Sequence, residues 1–240
     1  MKKENWQERT ELQVGPEAME KLSRAKILVA GLGGVGSYAA EQLCRAGTGN
    51  MTIMDGDYIR PSNRNRQLPA LLSTENRLKT EVMGERLKDI NPDLNLIILN
   101  EFIRDDRMVE ILSGEYDYVV DAIDMLSPKV YLIYHCIQRG LNIVSSMGSG
   151  GKYDPSLVKV ADISATHNCR FAYDIRKRLH KLGVYTGMKA VYSPEYVPKE
   201  SVVRVENETN KKSLVGTLSY MPAVFGCFCA SVAIRDIIGK

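Results

Sequence analysis

The sequence predicts an α/β protein with a doubly wound, mostly parallel sheet that continues into a mixed-strand C-terminal half. Three observations carry this. Short apolar runs alternate with stretches of helical periodicity from Lys26 to Ser145. The runs are apolar throughout, as in strands covered on both faces. A glycine-rich turn, Gly31-Leu32-Gly33-Gly34-Val35-Gly36, joins the first run to the first long helix. With 240 residues, 44% hydrophobic and 25% charged, the chain can bury a full core without staples.

The elements follow in order. Residues 1–25 are polar and read as an arm plus a short helix. Lys26–Gly31 is the first strand and Val35–Ala46 the helix after the turn. Met51–Asp55 is a second strand, and Asp57–Thr74 a long polar loop. Leu78, Val82, Met83, Leu87 and Ile90 form one helical stripe over Asn76–Ile90, stopped by Asn91-Pro92. Leu94–Leu99, Tyr116–Asp121 and Leu141–Ser145 are strands three to five, with helices at Asp106–Leu112 and Pro128–Arg139 between them. After Ser146 the rhythm changes. Strands are expected at Leu157–Ile163, Met188–Ser193 and Val202–Val205, a basic helix at Arg170–Leu182 and a last helix at Pro222–Ile238. The chain reads as a single domain, 1–240, with halves at 26–146 and 147–240.

Composition excludes several classes. The net charge of +3 comes from 32 basic and 29 acidic residues, so a nucleic-acid surface must be a local patch. Five cysteines, an odd number with no CxxC, argue against a disulfide scaffold or a zinc ribbon and fit a reducing cytoplasm. No apolar stretch near the N-terminus reads as a signal peptide. The most apolar segment, Met221–Ile234, has 14 residues, short of the roughly 20 that span a bilayer, so it is expected as a buried helix. Cys227 and Cys229 within it are expected as packing.

Four features carry chemistry. The amides of Gly31, Gly33, Gly34 and Gly36 lie where a strand meets a helix N-terminus, a Rossmann-like place for a phosphate. Asp55, 19 residues past Gly36, ends the second strand, where a carboxylate binds ribose hydroxyls. These two features leave NAD and ATP both open. The loop Ser62-Asn63-Arg64-Asn65-Arg66-Gln67 then places arginines and amides beyond Asp55 and Asp57, and Lys79 follows 13 residues after Arg66. A triphosphate wants such cationic clamps, and an NAD dehydrogenase leaves Arg64, Arg66 and Lys79 unexplained. Finally, Asp121-Ala122-Ile123-Asp124 lies at the carboxyl end of the fourth strand, where open α/β sheets bind ligands. Asp121 could simply cap the next segment. Asp124 could hold Mg2+ or position ATP. No GxxxxGK[ST] occurs, which excludes a P-loop enzyme.

Taken together, GxGGxG, D-x-D, N-R-N-R-Q, a lysine 13 residues on and D-x-x-D resemble the ThiF/MoeB/HesA superfamily of carboxylate-adenylating enzymes. The resemblance covers the chain from about Arg9 to its end. It implies ATP and Mg2+ as cofactors. Gly34 would lie on the phosphates, Asp55 on the ribose, Asn63, Arg66 and Lys79 on the triphosphate, and Asp124 at the metal. It also implies a homodimer, in which Arg9 reaches the neighbouring subunit's nucleotide, and a substrate-facing, dimer-forming role for 147–240. Met125 departs from the asparagine common at that position.

Within the superfamily, RTELQVGPEAMEKL, NRNRQLPAL, VVDAID, DPSLVKVADIS and GTLSYMPAVFG are similar to the tRNA threonylcarbamoyladenosine dehydratase branch. That implies an ATP-dependent dehydratase acting on tRNA. The alternative is adenylation of the C-terminal glycine of a ubiquitin-like sulfur-carrier partner, against which the missing CxxC pairs speak. Arg170–Lys181 holds Arg170, Arg176, Lys177, Arg178 and Lys181 against one acid, Asp174. Such a helix suits tRNA phosphates, with Phe171 or Tyr173 available to stack a base. The same spacing also fits an amphipathic helix that buries Phe171, Ile175, Leu179 and Leu182 beneath a solvated face. Cys169 would need a lowered thiol pKa to act as a nucleophile.

Overall fold

The computed structural model describes residues 5–103, 105–204 and 213–240. The N-terminal segment forms two helices, α1 (Glu8–Val14) and α2 (Pro16–Arg24), where one was expected. Gly15, at φ +86°, separates them, and Pro16 starts the second with its ring already set for a helix.

The strands β1 (Lys26–Ala30), β2 (Asn50–Met54), β3 (Asn95–Leu99), β4 (Tyr118–Asp121), β5 (Asn142–Ser146), β6 (Lys159–Asp162) and β7 (Lys189–Tyr192) form one sheet. Its order is β3-β2-β1-β4-β5-β7-β6. All pairs are parallel except β6 with β7. The second half of the chain therefore extends the sheet of the first instead of standing apart from it. The crossovers α3 (Gly36–Arg45), α4 (Lys79–Ile90), α5 (Asp105–Ile111) and α6 (Leu126–Gln138) connect the first five strands. α7 (Arg170–Lys181) connects β6 to β7. β8 (Val202–Arg204) and β9 (Ser213–Val215) make a separate antiparallel pair, and β9 was not expected. The expected strand end at Val205 lies outside the described residues.

The last helix, α8 (Tyr220–Ile238), packs on β4, β5 and α3. Met221, Phe225, Cys229, Val232 and Ala233 are buried there. It is long and apolar enough to cross a membrane by length and composition, yet this face of it is core. Cys227, expected in the packing, is exposed. Residues two positions apart on a helix point about 200° apart, so the CxC pair divides between core and surface.

Two cores sandwich the sheet. Val29, Leu43, Met83, Val120 and Phe225 belong to one, and Leu28, Met108, Val119, Ile133 and Leu179 to the other. Alternate residues of β1 and β4 enter opposite cores, which is why these strands read as continuously apolar. Because β1, β2 and β4 run parallel, Ala30, Met54 and Asp121 all end at one edge of the sheet. The glycine turn, the polar loop and the Asp121–Asp124 loop are thereby brought together.

Candidate active site

The glycine turn is set by how closely its surroundings approach. Gly31 has φ +90°, and a Cβ there would lie 2.9 Å from the Ala122 carbonyl oxygen. On Gly36 it would fall 1.7 Å from the Gly31 oxygen, so α3 could not start against the turn. Gly34 backs onto Pro222 of α8 and the Arg66 carbonyl. Gly33 meets nothing closer than the Gln67 side-chain amide, at 3.8 Å. The backbone near Gly33 is thus the open part of the turn.

Asp55 follows β2 and is nearly buried. Its carboxylate accepts the Leu32 amide at 2.7 Å and the Asp57 amide at 2.8 Å. Burial raises its pKa, opposed by the Lys79 charge and these two amides. Lys79 opens α4, and its side chain is 6% exposed. Its ammonium lies 2.8 Å from Asp57 and 3.7 Å from Asp55. The Asp57 side chain is 53% exposed, so Lys79 has one partner that faces solvent.

Asn63 serves the loop itself. Its side-chain oxygen accepts the Arg60 amide, and its carbonyl accepts those of Arg66 and Gln67. Arg66 is half-buried, and its guanidinium donates to the Ser62 carbonyl and the Asn65 side chain. Burial lowers its pKa, and the charge of Asp124 opposes that. Asp124 is exposed and close enough to Arg66 to act on it. Asn65 donates to the Thr217 carbonyl, tying the loop to the segment before α8.

The structure thus brings the glycine turn, Asp55, Asp57, Asn63, Arg66, Lys79 and Asp124 to one edge of the sheet. Arg9 is not brought there. Gln7, just before α1, packs on Gly47 beyond the far end of α3, so exposed Arg9 lies toward the opposite edge.

Two features escaped sequence reasoning. The Gln67 side-chain oxygen is buried without a hydrogen-bond partner beside the open Gly33. Its signal was its place in the N-R-N-R-Q run. The other is a buried ion pair, Asp121 with Lys129, both fully inaccessible at 2.7 Å. Its signal was Lys129 itself, which shares a helical stripe with the buried residues Leu132, Ile133 and Cys136.

The basic helix needs a correction. Arg176 points inward, donating to the Thr166 carbonyl at 2.8 Å and also bonding the Thr166 hydroxyl, so it does not stand on the expected RNA-facing surface. Arg170 pairs with Asp174 and lies 5.3 Å over the Tyr173 ring. Lys177, Arg178 and Lys181 line a cavity of about 360 Å³ with Leu126 and Asp174. Arg178 donates to Ser127, three residues after Asp124. The basic face therefore adjoins the Asp124 loop. Cys169 is buried ahead of α7.

Comparison with known proteins bears on this arrangement. The profile of the ThiF family matches residues 8–240. The chain belongs to the ThiF family. This ThiF-family chain is 36% identical over 237 residues to the tRNA threonylcarbamoyladenosine dehydratase of Bacillus subtilis, covering 96% of this chain and 93% of that one. Its identity to the enzyme of that name from Escherichia coli is 33% over 243 residues, covering 94% and 91%. A crystal structure of the Escherichia coli enzyme in complex with ATP superposes with a TM-score of 0.90 at 32% identity, over 100% of this chain and 98% of that one. The family and the α/β fold with its mainly parallel sheet are as the sequence predicted.

Proposed function

We propose that this chain is an ATP-dependent tRNA threonylcarbamoyladenosine dehydratase. The observation that carries the reading is similarity along almost the whole length of dehydratases of that name, one of them solved with ATP. The geometry supports a nucleotide at the edge of the sheet, with phosphates over the open backbone near Gly33, beside Gly34, and the ribose at Asp55. Lys79 and Arg66 would neutralise the triphosphate, beside Asn63 and Asp57. Among the described residues no three His, Cys, Asp or Glu side chains converge. Mg2+ would therefore rest on Asp124 and on phosphate oxygens that the substrate brings, a common arrangement for this ion. It would supply charge neutralisation at the phosphates.

In the reaction, a carboxylate oxygen of the threonylcarbamoyl group attacks the α-phosphorus of ATP and pyrophosphate leaves. The neighbouring carbamoyl group closes a ring on the activated carbonyl. The carbonyl–oxygen bond breaks, AMP departs with that oxygen, and the carbamoyl group releases a proton. The sum is loss of water driven by ATP cleavage. The protein's part is positioning and charge stabilisation, with no nucleophilic side chain required. Buried Cys169 fits that.

Lys177, Arg178, Lys181 and Arg170 would meet tRNA phosphates next to the Asp124 loop. Arg9, remote from its own chain's site, would serve a partner's in a homodimer. The whole chain would act as one adenylating domain in the cytoplasm, with 147–240 facing the substrate and the second subunit.

The test is mass spectrometry of nucleosides from threonylcarbamoylated tRNA incubated with protein, ATP and Mg2+. We expect loss of one water that depends on ATP and disappears in Asp124→Ala. No change in the nucleoside, with thermal stabilisation by ATP still present, overturns the tRNA reading and leaves adenylation of a carrier-protein C-terminus.

A further inference from the structure

Lys129 stands in the first turns of α6 with its ammonium sealed from solvent. It lies 2.7 Å from Asp121, at the end of β4, and 3.0 Å from the Ser145 hydroxyl on β5. That hydroxyl donates to the same carboxylate oxygen of Asp121 at 2.6 Å. The other carboxylate oxygen accepts the Ile123 amide at 3.1 Å. The charges of the group reach Cys136 and Cys229, and burial pushes both thiols up to about 12, so they add no negative charge. One cation, one carboxylate and one hydroxyl thus saturate one another between a helix and two strands.

A buried pair of this kind is a weak source of stability. Desolvation offsets its attraction, and well-packed apolar side chains of similar size often serve as well. The core on that face of the sheet is apolar, as Val119, Ile133 and Ile143 illustrate. What apolar side chains would not supply is an acceptor for the Ile123 amide. The loop held by that bond is short. Ala122 in it lies against Gly31 of the glycine turn, and Asp124, one residue past Ile123, acts on Arg66.

We propose that Asp121 is a positioning residue for adenylation. Lys129 neutralises its buried carboxylate, and Ser145 is the second hold on it. That carboxylate pins the Ile123 amide, and the pinned loop presents Asp124 to the phosphates. The inference rests on the ATP-dependent reading of the site, and it assigns the catalytic geometry of Asp124 to a pair that never touches the nucleotide.

Two double variants test it. Asp121→Leu with Lys129→Met removes both charges at similar volume and also the acceptor for Ile123. Asp121→Asn with Lys129→Met removes the charges and keeps an acceptor, while the Ser145 hydroxyl can rotate to suit. Exchange of pyrophosphate into ATP is measured with threonylcarbamoylated tRNA, alongside the thermal midpoint. The first variant is expected to fold and to lose about 10–100-fold in kcat, as small misplacements of reacting groups do. The second is expected to recover to within about threefold of wild type. Wild-type kcat in the first, or equal loss in both, overturns the proposal. If the first variant does not fold, Ser145→Ala decides. Faster amide exchange at Ile123 with a lower kcat supports the proposal, and no change in either overturns it. A wild-type protein without ATP-dependent exchange would instead sink the dehydratase reading.

Discussion

Two buried lysines at one edge of the sheet make opposite use of their charge. Lys79, at the start of α4, is shared between nearly buried Asp55 and half-exposed Asp57. Lys129, in α6, is closed in by Asp121 and Ser145, all three fully inaccessible. The first lysine can leave Asp57 for a phosphate, because the carboxylate left behind is still hydrated. The second cannot leave, because Asp121 would stay charged in the core. A buried cation is thus able to change partners or held as a structural pin according to the exposure of its partner.

Lys129→Ala should break the comparison most severely. It strands Asp121, for which about 3–5 kcal/mol of stability is expected to disappear. Urea unfolding would read this directly, and an unchanged midpoint would mean that the pin is idle. Lys79→Ala should do the reverse. Its expected cost is about 10²–10³-fold in ATP-dependent turnover, with a smaller loss of stability than in Lys129→Ala, because the Asp55 carboxylate keeps its two backbone donors. Turnover at the wild-type rate would make Lys79 another structural pin.

A third charged group sharpens the contrast away from the site. Glu41 of α3 is nearly buried and receives Arg45 and Arg86. Burial works to raise its pKa, but hydrogen bonds and charge from the two arginines hold it below the ordinary carboxylate range. Its contribution is therefore present above that range and lost as pH falls through the lowered value. Glu41→Gln should cost about 1 kcal/mol at neutral pH, the arginines being half exposed, and the gap to wild type should close in acid. A gap independent of pH would show that the charge contributes nothing.

The smallest effect is expected on the basic helix. Lys177→Glu with Lys181→Glu should leave ATP-dependent thermal stabilisation unchanged. It should reduce the salt dependence of tRNA binding by about one unit of slope for each phosphate that is no longer neutralised. An unchanged salt dependence would identify this face as merely solvated.

Much of this was legible in the chain. The apolar runs located the first five strands within a residue or two, and the spacing from the glycine turn to Asp55, Lys79 and Asp124 picked out groups that the fold gathers at one edge. Where the reading slipped, a tertiary or special backbone state intervened. Asn76 has φ +63°, and Leu78 bridges to Tyr58, so α4 begins at Lys79 and not at Asn76. α6 begins at Leu126, before Pro128, because proline is tolerated in a first turn whose amides have no helical partner.

The sequence by itself determined the fold class, the glycine turn and the charged residues that the fold gathers beside it. Strand periodicity and glycine spacing are local properties, written in consecutive residues. Only the tertiary structure decided which charges face outward and which are pins. Arg176 turned to Thr166, Cys227 turned out of the core, and Lys129 met Asp121 and Ser145. The exposure of a side chain and the partner that neutralises it depend on segments far apart in the chain, and no local pattern records them.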